Sequence, residues 1–168
     1  PETEPPTEPE TEPETEPELT TGPFKVADKY YLTFAEALEA AAAGTTIYLV
    51  EDYELQGDEH DLKPEVYVTI EGVAKADGTL PTLTYSLTTG FTCLRFKAGA
   101  TLKNFKFVAA TIRQNGILQF GGDLVIDGVE FFVKNYSNVN GISLIRFHEN
   151  SKSLTMINSK VVFEEGYT

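Results

Sequence analysis

The chain holds no tryptophan, one cysteine, one methionine and two histidines in 168 residues, and 13 lysines and arginines stand against 26 acidic residues. A single Cys93 excludes an internal disulfide framework. With His60 and His148 far apart in the chain, a shared metal or a histidine dyad is a poor fit. No apolar run is long enough to span a membrane. A net charge of −13 without a basic cluster argues against a nucleic-acid partner. Helical periodicity is scarce as well: after Gly44 the apolar residues alternate with period two and no 3.6-residue pattern competes.

Proline is unevenly spread. Residues 1–23 contain seven of the nine prolines, eight glutamates and no basic residue, in Pro-Glu-Thr-Glu steps. Such a segment has little apolar area to offset its ordering entropy, so it is expected to be a disordered, self-repelling, partly polyproline-II stalk or linker. Without its eight negative charges the remaining 24–168 carries only −5. Proline, threonine and glutamate spacers of this kind suit an extracellular or cell-surface setting. With no leader pattern and no initiating methionine, the chain reads as a processed product or an excised part of a longer one.

What is abundant is repetition. Ile70-Glu71-Gly72-Val73, Leu102-Lys103-Asn104-Phe105-Lys106-Phe107, Ile126-Asp127-Gly128-Val129-Glu130-Phe131 and Ile157-Asn158-Ser159-Lys160-Val161-Val162 share one strand motif. Three of them follow a second element: Leu94-Arg95-Phe96, Leu118-Gln119-Phe120 and Ile145-Arg146-Phe147. Repeats a few tens of residues apart, each with a single apolar face, read as stacked units that bury one another. Strands alone at this spacing point to an all-β parallel β-helix, a single-stranded solenoid, over 24–168. Leucine-rich repeats are the main rival, but their asparagine ladder and leucine density are missing. Ahead of the first strand, Thr33-Phe34-Ala35-Glu36 has capping-box spacing, alanine-rich helix formers run to Ala43, and Gly44 is placed to stop the helix. This short α-helix is expected to cap the first coil.

Residues from about 30 onward resemble right-handed parallel β-helix proteins of the pectate-lyase-like superfamily, in particular bacterial surface proteins. Tyr31-Leu32-Thr33-Phe34-Ala35-Glu36-Ala37-Leu38 with Gly44-Thr45-Thr46-Ile47-Tyr48-Leu49 resembles the helical cap and first strand of that group. The Leu-Lys-Asn-Phe-Lys-Phe and Ile-Asp-Gly-Val-Glu-Phe segments are similar to its coil-forming strands. The resemblance implies the N-terminal portion of such a protein, lacking C-terminal coils or a C-terminal cap. It does not carry an activity, because this superfamily includes lyases, hydrolases, adhesins and non-catalytic modules.

Alternation places Arg95, Gln119 and Arg146 outward, with Lys97 and His148 beside them. On strands about 5 Å apart they would form a polar, basic strip suited to the carboxylates or hydroxyls of a polysaccharide or a cell-surface glycan. The variable motif positions Glu71, Lys103, Asp127 and Asn158 are the other side chains left for a ligand. No catalytic residues are assigned. The chain has no Asp-Asp pair, Asn-Thr-Asp, Gly-His-Gly or Arg-Ile-Lys sequence, and Ser137, Ser143, Ser151, Ser153 and Ser159 lack a nucleophile elbow. The acidic stretch Gln56-Gly57-Asp58-Glu59-His60-Asp61 lacks EF-hand spacing and reads as a solvated loop; no metal and no cofactor are assigned. Gly121-Gly122 lacks phosphate-loop spacing, and Asn135-Tyr136-Ser137 matches a glycosylation acceptor.

These features favour a non-catalytic extracellular module for adhesion or carbohydrate binding. Two alternatives stand beside it. One is the first part of a polysaccharide lyase or glycoside hydrolase whose site lies on later coils. The other is a structural protein that self-associates end to end through exposed terminal coils.

Overall fold

A computed structural model describes residues 19–86, 94–110, 117–134 and 143–164. The stalk assigned to 1–23 therefore falls mostly outside the described residues, as do Cys93 and Asn135-Tyr136-Ser137.

The first two strands gave no periodic signal. β1 (Phe24–Val26) and β2 (Lys29–Tyr31) form a hairpin turned through Ala27, which takes a left-handed φ of 52°. Three residues are too few to establish alternation, yet Phe24 and Val26 point into the core and β1 also pairs antiparallel with β3 (Thr46–Leu49). Between them lies α1 (Phe34–Ala40), with both halves of the expected capping box formed: Glu36 N donates to Thr33 Oγ1 (3.2 Å) and Thr33 N to Glu36 Oε2 (3.1 Å). The helix ends at Ala40, earlier than its alanines suggest, because Ala41 turns extended and is itself buried. Gly44 lies beyond this stop and ties its amide to Tyr67 O at 2.7 Å. Packing here overrides helix propensity.

From β3 onward the chain alternates between two sheets. β5 (Val68–Gly72), β7 (Leu94–Phe96), β8 (Gly99–Lys103), β10 (Leu118–Asp127) and β12 (Ile145–Ile157) join the first; β4 (Tyr53–Glu54), β6 (Thr82–Tyr85), β9 (Lys106–Ala109), β11 (Glu130–Val133) and β13 (Lys160–Phe163) make the second. The first sheet runs β12-β10-β8-β5-β3-β1-β2, with β7 beside the start of β10, and the second runs β13-β11-β9-β6-β4. All pairings are parallel except those of β1.

This corrects the expected single-stranded parallel β-helix. The chain builds two distinct sheets, one mixed and one parallel, with one short helix. The physical reason lies at the N-terminal edge, where the β1–β2 hairpin adds antiparallel strands that a uniform parallel coil would not contain. In three of the four repeats seen in the sequence a strand of the first sheet meets a strand of the second through a tight bend; after Ile70-Glu71-Gly72-Val73 the connection is longer, from Val73 to Pro81.

The bends explain the motif. Asn104, Gly128 and Asn158 occupy equivalent positions and all take left-handed φ values, of 55°, 68° and 51°. Glycine and asparagine adopt this region at least cost. The bends also bond to one another, Asn104 N to Asp127 O at 3.0 Å and Gly128 N to Ile157 O at 3.1 Å. At the matching position before Asn104, a Cβ on Gly72 would collide with the Asn104 carbonyl.

The fourth motif was placed one residue late. Met156, not Ile157, pairs with Ile126, and Ile157 pairs with Asp127. Asn158 is thus a bend residue and not the outward partner of Asp127; its Nδ2 donates to Asp127 Oδ1 at 2.9 Å. A one-residue slip exchanges the two faces of a strand.

Inward rows build one core. Ile47, Ile70, Leu102 and Ile126 line up across the first sheet, and Leu83, Phe107 and Phe131 across the second, none more than 2% exposed. The Phe107 and Phe131 rings lie 5.7 Å apart. Phe131→Ala is expected to lower unfolding free energy by about 3–5 kcal/mol in urea titration. Asn104→Gly, which keeps the bend's backbone freedom, should change it by under about 1 kcal/mol.

Candidate functional site

Parallel pairing of β7, β10 and β12 sets Arg95, Gln119 and Arg146 side by side, with Leu94, Phe96, Leu118 and Phe120 turned into the core. Arg95 Nε donates to Gln119 Oε1 at 3.0 Å. Gln119 was expected to stand outward, but it is only 5% exposed. Arg95 is half-buried and Arg146 is exposed. The middle amide orients Arg95 while holding the two guanidinium groups apart.

Beside the row lies a cleft of about 470 Å³ whose walls include Arg95, Lys97, His148, Glu65 and Glu149. Three of the five residues singled out from the sequence thus share one cleft, and Gln119 and Arg146 continue the row next to it. The kink that places His148 there is fixed by Ser151: His148 N donates to Ser151 Oγ at 2.7 Å, and that hydroxyl donates to Phe120 O at 2.5 Å. The two cleft carboxylates were missed. Glu65 arrives because Arg95 N donates to Leu62 O (3.0 Å) and Lys97 N to Pro64 O (3.1 Å), which lays residues 62–64 along β7. Its carboxylate then pairs with Lys97. No local pattern around Glu65 announces this.

Other outward rows differ in charge. Glu71, Lys103 and Asp127 stack in register, and so do Lys106, Glu130 and Lys160. Both alternate in sign, with Lys103–Glu71 at 3.0 Å and Lys160–Glu130 at 2.8 Å. The hydrogen bond to Glu71, then the charges of Glu71 and Asp127, push the Lys103 ammonium above its ordinary pKa. Opposite charges on neighbouring strands satisfy one another. These motif positions, expected to be available to a ligand, are therefore engaged with each other. The Arg95–Gln119–Arg146 row contains two cations and no acid.

The acidic stretch is not a solvated loop. Gly57–Asp61 forms a 3₁₀ turn that buries Glu59 and His60. Glu59 accepts three hydrogen bonds: Ala35 N at 2.9 Å in the first turn of α1, Tyr53 Oη at 2.8 Å and Gln56 N at 2.8 Å. A carboxylate at a helix N-terminus is favoured by the free amides and the helix dipole. His60 Nδ1 meets Gly57 O at 2.8 Å and its ring stands edge-on to Tyr85 at 4.9 Å. Burial, then the hydrogen bond to Glu59 and its charge, push the Tyr53 phenol far above its ordinary value.

Among the described residues no three histidines, cysteines, aspartates or glutamates gather as a metal site. Ser151, Ser153 and Ser159 bond to Phe120 O, Asp123 Oδ1 and Ile157 O, which are structural uses of the hydroxyl. No helix among the described residues is long and apolar enough to cross a membrane. Comparison with protein-family models, curated proteins and solved structures gives no match to this chain.

Two outcomes follow for the Glu59 cluster. Glu59→Ala, which strands buried donors, should cost about 2–4 kcal/mol of stability in chemical denaturation. Tyr53 keeps its proton in the folded chain beyond its ordinary value of 10.0, so the unfolded chain ionises first. Its contribution is whole below pH 10.0 and declines as pH rises above it. Thermal melts of Tyr53→Phe should show a smaller loss of stability in that range than the parent chain.

Proposed function

We propose that this chain is a non-catalytic binding module for acidic polysaccharide, engaging uronate carboxylates through Arg95 and Arg146 with Lys97 and His148 at the adjoining cleft. The supporting observation is the charge pattern of the outward rows. Two rows alternate in sign, whereas Arg95–Gln119–Arg146 places a cation on each side of a neutral amide and contains no acid. Two cations in one row of a chain of net charge −13 are suited to a ligand of opposite sign. Strands spaced about 4.8 Å apart set the two arginines, one on each side of β10, roughly 10 Å apart, a scale comparable with every second unit of a sugar chain. Each guanidinium fits a carboxylate with two parallel hydrogen bonds, a geometry an ammonium does not offer.

An extracellular or cell-surface location fits the same reading, since residues 1–23 carry eight glutamates and would hold an acidic ligand away from the tether. Glu65, already paired with Lys97, serves to position that ammonium at the cleft wall.

Affinity electrophoresis in gels containing polygalacturonate, with neutral dextran as control, tests the reading. Retardation is expected with polygalacturonate alone, weakening as salt rises. Arg95→Ala combined with Arg146→Ala should reduce affinity by about tenfold or more. Equal mobility in both gels, or retardation that survives the double substitution, would overturn it.

A further inference from the structure

We propose that two copies of this chain pair through the free edge of β12, related by a two-fold axis. Among the described residues, β12 pairs only with β10 and β13 only with β11, so both sheets end together on the same side. The side chains that continue the core rows there are uncovered. Phe147, Leu154, Met156 and Val161 are 60%, 36%, 39% and 40% exposed, while their register partners Phe120, Leu124, Ile126 and Phe131 are each at 0%. Four apolar side chains contiguous with a core make a surface that calls for an occupant.

The sequence of β12 identifies the occupant as a second copy. Set antiparallel to itself about the midpoint of Asn150 and Ser151, the strand places Ile145 opposite Met156 and Phe147 opposite Leu154. The same register places Glu149 opposite Lys152. Apolar residues meet apolar residues and opposite charges meet, and the two-fold axis makes every such contact occur twice. This self-complementarity is what an isologous contact requires. The irregular register between Phe120 and Asp123 marks a bulge at the middle of β12. A two-fold axis through that point exchanges the two arms of the strand, so the bulge does not disturb the match.

The opposite edge is built differently. There α1 packs on β1 and β2 and buries Phe34 and Ala37 completely. A self-complementary face at one end only gives a closed pair, in contrast to the fibre that end-to-end stacking would produce.

Sedimentation equilibrium of the 168-residue chain tests this. A dimer is expected. Glu149→Lys or Lys152→Glu alone sets like charges against each other and should weaken association by about tenfold or more. Glu149→Lys with Lys152→Glu together restores the opposite pairing and should restore the dimer. Both positions are exposed, and circular dichroism checks that each variant keeps its β-sheet signature. Leu154→Asp should leave a monomer. A chain that stays monomeric at high concentration, assemblies larger than two, or a double swap that fails to recover association would each overturn the proposal.

Discussion

Because neighbouring strands pair in parallel and in register, every inward side chain meets its equivalent on the next strand, and the burial of each depends on the presence of the other. Ile126 is completely covered because Leu102 and Met156 flank it; Met156 is 39% exposed because its row stops there. The same register governs the outer faces. Like charges in neighbouring strands would repel at about 5 Å, and the Glu71–Lys103–Asp127 and Lys106–Glu130–Lys160 rows avoid this by alternating. The Arg95–Gln119–Arg146 row separates its charges with an amide instead. The row contains two cations and no acid of its own, which is why it and not the repeated motif carries the functional reading.

At the N-terminal edge of the described residues, closure depends on a buried carboxylate. Glu59 binds the first turn of α1, the Tyr53 hydroxyl and the backbone of its own turn. A charge at that depth is tolerated because three donors, two of them backbone amides, satisfy it. The arrangement locks the helix to the loop between β4 and β5 and holds Phe34 against Phe24, 5.3 Å from ring to ring. The C-terminal edge has no equivalent among the described residues.

The legible parts of the sequence were those written in alternation or in local capping. Leu94-Arg95-Phe96, Leu118-Gln119-Phe120 and Ile145-Arg146-Phe147 gave the correct register, because apolar residues flank a polar one in each. Thr33 and Glu36 gave the helix start, since a capping box lies within four residues. Met156-Ile157 misled because two adjacent apolar residues satisfy either phase; aligning Asn158 with Gly128 and Asn104 as left-handed bends would have fixed it. The β1–β2 hairpin was too short to show a period, and its antiparallel pairing is what separates the real architecture from a uniform parallel coil. Glu59 and Glu65 were beyond local reading. Their environments come from Ala35, 24 residues away, and from Lys97, 32 residues away.

Strand β12 joins the two proposals physically. His148 and Glu149 stand in the cleft wall, and Glu149 also faces Lys152 of a second copy in the two-fold pair. A carboxylate held by that lysine contributes less negative charge to the cleft, and an acidic ligand then meets weaker repulsion beside Arg95. Pairing and anion binding would favour each other, and linkage makes the effect equal in both directions. A polyanion bound along the arginine row would thus strengthen the dimer, and the dimer would present two such rows to one polymer. Two modest sites on one polymer bind more tightly than either alone when the chain can reach both. A scaffold whose single sites contain only two arginines gains more from this doubling than from any rearrangement within one copy.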